Sequence, residues 1–265
     1  MLSARILTAI VGMPLIFACV YCSGISFYIM MFIVSFLCVQ ECLTISKKYN
    51  PHTFVSLLMA AVFFLFLYFF KDFPLDKTAF SAIAMMLVLF GIEIFNKNPY
   101  MCVERIATSF LMSFFIPLSL MHMVYIRSLN GGMKLVFFLF IVVWVLDTAA
   151  YAFGSILGKH KLAQNVSPNK TIGGAAAGVI FGIFAAIACR HIFMKDILTS
   201  SQAFVLGLVI AVTGQLSDLA QSLIKRDGSV KDSGKIVPGH GGVFDRFDSY
   251  IFAAPAVYYV LQISR

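Results

Sequence analysis

Charged side chains and glycines are concentrated in one short segment of a mostly apolar chain. Residues 222–249, SLIKRDGSVKDSGKIVPGHGGVFDRFDS, hold nine of the 32 charged residues (20 basic, 12 acidic) and five of the 18 glycines. This stretch is called the 222–249 segment below. Its five basic residues could neutralise phosphate oxygens, and they are Lys225, Arg226, Lys231, Lys235 and Arg246.

Near its end the same segment carries a closely spaced pair of carboxylates and a run with little side-chain bulk. Asp245 and Asp248 are three residues apart, so on a helix they share a face and could hold one divalent cation together. In the run 238–242, PGHGG, backbone N–H groups could approach an anion closely. His240 within it could contact a phosphate, or it could be a turn residue that bonds the backbone. The segment therefore predicts a site for phosphates and a metal ion.

Three upstream features could add to this site. Asp147 lies inside an apolar stretch, where an ionised carboxylate must be paired, hydrated or metal-bound. It could line a cavity, or it could be buried and lock two helices together. Asp218 poses the same question in a later stretch. Between them Ser167 and Lys170 precede an apolar run, and a helix starting there would be a natural anion position or a solvated cap.

The elements that must position these residues are predicted to be membrane helices. Hydrophobic residues make up 60% of the 265 residues, charged residues only 12%, and the mean hydropathy is +0.92. Soluble domains carry about 25% charged residues. The net charge of +8 is therefore interpreted through membrane topology, and nucleic-acid binding is not expected. The six cysteines show neither disulfide nor zinc-site spacing.

Nine apolar stretches are long enough, or nearly so, to cross a bilayer of about 30 Å. We expect an all-α, polytopic membrane protein with a cytoplasm-facing polar cavity in its C-terminal half. Residues 1–134 would form an N-terminal region of about five spans, and 135–265 a catalytic region of about four. Glu41 and Glu93 are expected either to reach the membrane interface or to face a cavity. The nine stretches are 6–22, 25–45, 53–70, 78–95, 106–126, 135–157, 171–189, 203–224 and 247–263.

The basic residues indicate an orientation for these spans. With nine spans, 13 of the 20 Lys and Arg residues fall on the side of the N-terminus and seven on the other. The positive-inside rule then makes the N-terminal side cytoplasmic, together with the 222–249 segment. Five of the 13 belong to that segment and could serve chemistry instead; without them the count is eight against seven.

The order of motifs over roughly 144–250 resembles the phosphatidate cytidylyltransferases, also called CDP-diacylglycerol synthases. The resemblance rests on KR at 225–226, KDSG at 231–234, PGHGG at 238–242 and DRFDS at 245–249. SDL at 217–219 is similar to the family's Gly-Asp-Leu, and the residues around Asp147 and Lys170 resemble two upstream motifs. Two positions depart from the family pattern, since Gly173 and Gln221 stand where it usually has acids.

The resemblance implies that CTP and phosphatidic acid react to give CDP-diacylglycerol and pyrophosphate at a bacterial inner membrane. It implies Mg²⁺ or another divalent cation, with a monovalent cation as a further candidate, and a homodimer as one candidate assembly. Catalytic roles would fall to Asp218, Asp245, Asp248, Lys225 and Arg226, and metal binding to Asp218, Asp245, Asp248 and Asp147. Substrate binding would fall to Ser167, Lys170, Ser222, Lys231, Lys235, His240 and Arg246.

Two other functions fit part of the pattern. A CTP-dependent polyprenol or lipid kinase also combines membrane helices with acidic and basic loops, but it transfers the γ-phosphoryl group and releases CDP. A transporter of a phosphorylated metabolite would suit buried Asp147 and Asp218, but it would not need so dense a one-sided segment of Lys, Asp and Gly.

Overall fold

The computed structural model describes residues 2–70, 75–237, 239 and 241–264. Within these ranges the protein is mostly helical. The helices are α1 (Leu2–Cys22), α2 (Gly24–Ile45), α3 (Thr53–Phe69), α4 (Leu75–Ile94), α5 (Cys102–Ser128), α6 (Gly132–Leu157), α7 (Ile172–Phe193), α8 (Ser200–Asp227) and α9 (Phe244–Ile263). A short 3₁₀ helix, Lys47–Tyr49, follows α2.

Each predicted apolar stretch coincides with one helix, because an uninterrupted apolar run can satisfy its backbone in a bilayer only by helical hydrogen bonding. Among the described residues, six helices are long and apolar enough to cross a membrane: α2, α4, α5, α6, α7 and α8. The protein is therefore a multi-pass membrane protein. Among the described residues, the apolar part of α1 is Gly12–Cys22 and that of α3 is Thr53–Phe69, and α9 opens with Asp245, Arg246 and Asp248. Nine spans thus stay a prediction.

The expectation of an all-α fold is corrected by a small antiparallel hairpin between α6 and α7. Strand β1 (Lys161–Ala163) pairs with β2 (Ser167–Thr171), and Thr171 then caps α7. The Gly174 N–H donates to Thr171 Oγ1 at 3.1 Å, which satisfies one of the free donors of the first helical turn. The strands are too short and too polar for alternating hydrophobicity to reveal them.

The contacts divide the chain into two compact units. Unit 1 comprises Met1–Cys19, Ile25–Met121 and Ile224–Arg246. Its core is built from large apolar side chains of α2 to α4, including Phe27, Phe64 and Leu89, each fully or almost fully buried.

Unit 2 comprises Val20–Gly24, His122–Leu223 and Phe247–Arg265. Its helices α6 and α7 pack closely because small residues face the contact. A Cβ at Gly174 would lie 2.6 Å from the Ala150 carbonyl oxygen. The hairpin connects the C-terminal end of α6 to the N-terminal end of α7.

Candidate active site

The 222–249 segment comprises the last turns of α8, a loop, and the first turns of α9. The chain leaves α8 at Asp227 and turns through Ser229, which adopts a left-handed φ of 56°. The Val230 N–H donates back to the Lys225 carbonyl oxygen at 2.9 Å and closes the helix end. The loop residues are thereby returned toward the start of α9 within unit 1.

Asp245 is the point where this loop is held together. Its Oδ1 accepts from Lys225 Nζ at 2.8 Å, and the two side chains are only 8% and 14% exposed. Its Oδ2 accepts from the N–H groups of Ser233 (2.8 Å) and Gly242 (3.0 Å) and lies 3.0 Å from Ser233 Oγ. A carboxylate has about four lone-pair sites, so these contacts occupy most of its accepting capacity.

A cleft of about 510 Å³ opens beside this loop in unit 1. Two of the predicted phosphate ligands, Lys235 and Arg246, line it and are exposed. Much of the remaining wall is glycine and backbone, so an anion could approach N–H groups as well as cationic side chains. The described lining residues are Asp232, Gly234, Lys235, Val237, Gly239, Gly241 and Arg246.

Two further basic residues of the segment are placed differently. Arg226 is exposed at the end of α8, and its Nη1 donates to the Val230 carbonyl oxygen at 3.4 Å. Lys231 is exposed in the loop. His240 lies outside the described residues.

In unit 2 the structure brings together Lys170 and Asp218, which come from β2 and α8. Lys170 Nζ lies 2.6 Å from Asp218 Oδ2, and the side chains are 27% and 30% exposed. The predicted phosphate ligand and the predicted metal ligand thus form an ion pair whose side chains are partly exposed, although Lys170 Nζ itself is buried. Incoming phosphate or metal would replace this partner with a stronger one.

Asp248 is positioned by the residue that precedes Asp218. Ser217 Oγ donates to the Asp248 carbonyl oxygen, and the Phe252 N–H donates to the same hydroxyl at 3.3 Å, so α8 and α9 are joined there. The Ser249 N–H donates to Asp248 Oδ1 at 2.7 Å. The Asp248 carboxylate is half-buried.

The other predicted residues of unit 2 differ in exposure. Asp147 is exposed on α6, as is Tyr151 one turn later, which is at odds with a buried, helix-locking aspartate. Ser167 is half-buried in β2, and Ser222 is buried in α8. Gln221 is 2% exposed, so an amide occupies a buried position where an acid would need a compensating charge.

The most informative residue that the sequence did not assign is Glu41. It was expected to reach the interface or face a cavity, as was Glu93; both are buried within the protein, Glu41 at 4% and Glu93 at 9% exposure. Glu93 is bonded to Arg105 and His52, whereas Glu41 bonds the 222–249 segment. One feature of the sequence could have indicated this contact. Glu41 is an acid in an apolar helix with no basic residue within four positions, so a partner for it had to come from elsewhere in the chain.

The arrangement of the carboxylates determines whether they could bind a divalent cation. Among the described residues, no group of three or more His, Cys, Asp or Glu side chains could hold a metal. Mg²⁺, however, is often held by one or two carboxylates together with substrate phosphates and water. The half-exposed Asp218 and Asp248 in unit 2 fit that kind of donor set.

Comparisons with known proteins agree with the motif order. A model of the "Cytidylyltransferase family" matches residues 3–264. A "Phosphatidate cytidylyltransferase" of Staphylococcus saprophyticus is 32% identical over 260 residues, covering 96% of each chain. That of Bacillus subtilis is 30% identical over 265 residues, covering 98% of this chain and 97% of the relative. That of Staphylococcus haemolyticus is 39% identical over 176 residues, 66% of each chain. With near-complete coverage by both the family model and these relatives, the chain belongs to the cytidylyltransferase family.

Proposed function

We propose that this protein is a phosphatidate cytidylyltransferase, which converts CTP and phosphatidic acid into CDP-diacylglycerol and pyrophosphate in phospholipid biosynthesis. The family and its relatives support this activity. The structural observation that supports it best is the cleft of the 222–249 segment. Its cations Lys235 and Arg246 stand beside glycine backbone, as a triphosphate site requires.

The reaction joins two anions. A phosphate oxygen of phosphatidic acid attacks the α-phosphorus of CTP, a new P–O bond forms, the α–β bridging P–O bond breaks, and pyrophosphate carries away the electron pair. Negative charge must be neutralised and the attack held in line. Lys231, Lys235 and Arg246 are exposed cations of the 222–249 segment that could bind triphosphate oxygens. Lys225 and Arg226 at the end of α8, with Lys170, Ser167 and Ser222, are the proposed further contacts for the two substrates.

A divalent cation such as Mg²⁺ would neutralise phosphate charge and orient the leaving group when bound. We propose Asp218 and Asp248 as its main protein ligands, because both carboxylates are partly exposed and the Ser217 bond fixes α8 to α9 beside them. Asp245 and Asp147 stay predicted ligands. Asp245 would have to exchange a present donor, such as Lys225, for a metal ion.

We place the 222–249 segment at the cytoplasmic face of a bacterial inner membrane, supported by the 13-to-seven distribution of basic residues. CTP would then enter from the cytoplasm and phosphatidic acid from the bilayer. A homodimer and a monovalent cation remain predictions.

Product analysis tests the function. The purified protein in detergent micelles would receive CTP labelled at the α-phosphorus, phosphatidic acid and Mg²⁺. We expect the label to enter the lipid phase with one pyrophosphate released per lipid labelled. Release of labelled CDP into the aqueous phase would instead support the kinase. Diacylglycerol in place of phosphatidic acid is the matched control and should give no labelled lipid. Turnover without a sealed compartment would also exclude transport as the sole activity.

A further inference from the structure

Glu41 lies in α2, far in sequence from every residue assigned above, yet its carboxylate is bonded to the 222–249 segment. The carboxylate accepts from Ser233 Oγ at 2.7 Å and from the N–H groups of Val243 and Phe244, both at 2.9 Å. The residue is 4% exposed. A buried carboxylate with three donors from one segment is a fixed anchor for that segment.

Ser233 joins Glu41 to Asp245. Its Oγ lies 2.7 Å from Glu41 Oε2 and 3.0 Å from Asp245 Oδ2, while its N–H donates to Asp245 Oδ2 at 2.8 Å. Ser233 is itself buried. Any displacement of Glu41 is therefore transmitted to Asp245 through a single side chain.

Glu41 also determines how α9 begins. The helix starts at Phe244, and the first N–H groups of a helix have no partner within it. Glu41 supplies the acceptor for Val243 and Phe244, and Asp245 supplies that for Gly242. Because Asp245 is the second residue of α9, the direction of its side chain depends on this start.

Two glycines of the segment leave room for the anchor. A Cβ at Gly234 would lie 2.6 Å from Glu41 Oε1, and one at Gly242 would lie 2.1 Å from Ser233 Oγ and 2.2 Å from Glu41 Oε2. Both glycines are in the loop that borders the cleft, and Gly234 lines it. The backbone of this loop is therefore fitted around the Glu41 carboxylate.

The end of α2 contacts the same region at two further points. A Cβ at Gly228 would lie 2.6 Å from the Ile45 carbonyl oxygen. Lys48 Nζ lies 2.7 Å from Asp227 Oδ1, and this hydrogen bond raises the pKa of Lys48. The last turn of α2 and the 3₁₀ helix after it thus form one supporting edge for the loop.

We infer that Glu41 is a positioning residue for the active site: through Ser233 and the first turn of α9 it fixes the cleft walls and the Asp245 carboxylate. Its kinetic consequence rests on the proposed function. Without the anchor, the loop between Ser233 and Val243 samples other conformations, and the apparent affinity for CTP falls in proportion to the fraction of molecules that keep the binding-competent form.

The first test measures the loop without substrate. Amide hydrogen exchange of the full chain in detergent would be followed in peptides covering 229–247, for wild type, Glu41→Gln and Glu93→Gln. Glu93→Gln is a matched control, because Glu93 is a buried acid of the same unit whose bonds run to Arg105 and His52. We expect Glu41→Gln to accelerate exchange of these amides at least tenfold and Glu93→Gln to leave them unchanged. Equal exchange in both variants would overturn the inference.

The second test measures kinetics per folded molecule. We expect Glu41→Gln to raise KM for CTP at least tenfold with a smaller change in KM for phosphatidic acid, and Glu41→Asp to recover part of the loss. A purely structural role would lower the amount of folded protein and leave both constants unchanged in what remains, which would contradict the proposal. If wild type forms no CDP-diacylglycerol, the proposed function fails, while the exchange experiment still decides the role of Glu41.

Ser233→Ala is a second variant that tests the same proposal if Glu41→Gln does not fold. This variant removes the bridge and keeps the bonds from Glu41 to Val243 and Phe244. We expect the same direction of change in KM for CTP. If both single variants fold, the double variant should show less than the product of their effects, because part of the effect of Glu41 passes through Ser233. Wild-type constants for Ser233→Ala would overturn the inference.

Discussion

Adjacent lysine and arginine residues at the end of α8 have different surroundings. Lys225 is 14% exposed and paired with Asp245, whereas Arg226 is exposed and bonds the Val230 carbonyl oxygen. A buried carboxylate that loses its cation is destabilised, but an exposed guanidinium can be removed with little structural effect. The two cations can therefore be separated by experiment.

Replacing each with alanine should lower turnover by about 10- to 150-fold, the usual effect of removing a charge-assisted phosphate contact of about 1.5–3 kcal/mol. Lys225→Ala should also lower the midpoint of thermal unfolding, because Asp245 keeps its other donors but loses the ion pair. Arg226→Ala should leave that midpoint nearly unchanged. Turnover and thermal unfolding of each variant would be measured in the same detergent as wild type. Full activity in both variants would mean that Lys225 and Arg226 only mark the cytoplasmic side of the membrane.

The two aspartates at the start of α9 offer a second test. Asp248→Asn preserves shape and removes charge, so we expect lower activity and a Mg²⁺ requirement shifted to higher concentration, with unfolding little changed. Asp245→Asn should lower both activity and stability, because an amide nitrogen would face the donors of Lys225, Ser233 or Gly242. An unaltered Mg²⁺ titration of an active Asp248→Asn enzyme would exclude Asp248 as a metal ligand.

At the scale of elements, the loop of the 222–249 segment depends on a position where no side chain fits. Gly234→Ala would place a methyl group 2.6 Å from Glu41 Oε1, so we expect at least a tenfold loss of turnover. Gly91→Ala in α4 is the control, since nothing lies within 4 Å of its added Cβ. Initial rates per folded protein check this. Equal activity of the two variants would mean that the loop can shift without cost to the site.

The helices were predictable from the sequence because a long apolar run has only one way to satisfy its backbone in a bilayer. The cleft residues Lys235 and Arg246 were predictable from charge and glycine spacing. The anchor at Glu41 was not, because its partners are 192 to 203 residues away and nothing near it indicates them. The β1–β2 hairpin was missed because two strands of only three and five residues leave no periodic pattern.

For the whole molecule, the number of spans decides on which side the chain ends. In the nine-span prediction α9 crosses the membrane, which places Ser264 on the face opposite the 222–249 segment. A cysteine at Ser264 should then react with an impermeant thiol reagent in intact cells, and one at Ser229 should not. Both serines are exposed, and wild type gives the background from the six native cysteines. Labelling of Ser229→Cys from outside would rule out the odd-span orientation.

The contact between Glu41 and the start of α9 also has a consequence for biosynthesis. During translation α2 enters the membrane long before its partners exist, and helices α3 to α8 are made in between. Until α9 emerges, the Glu41 carboxylate lacks the three donors that stabilise it in the finished protein. We therefore expect a chain released early to carry an unsatisfied acid in an apolar helix and to be degraded faster than the finished protein. The Glu41 carboxylate is thus satisfied only when the chain has been made through the start of α9 and the 222–249 segment has folded against α2.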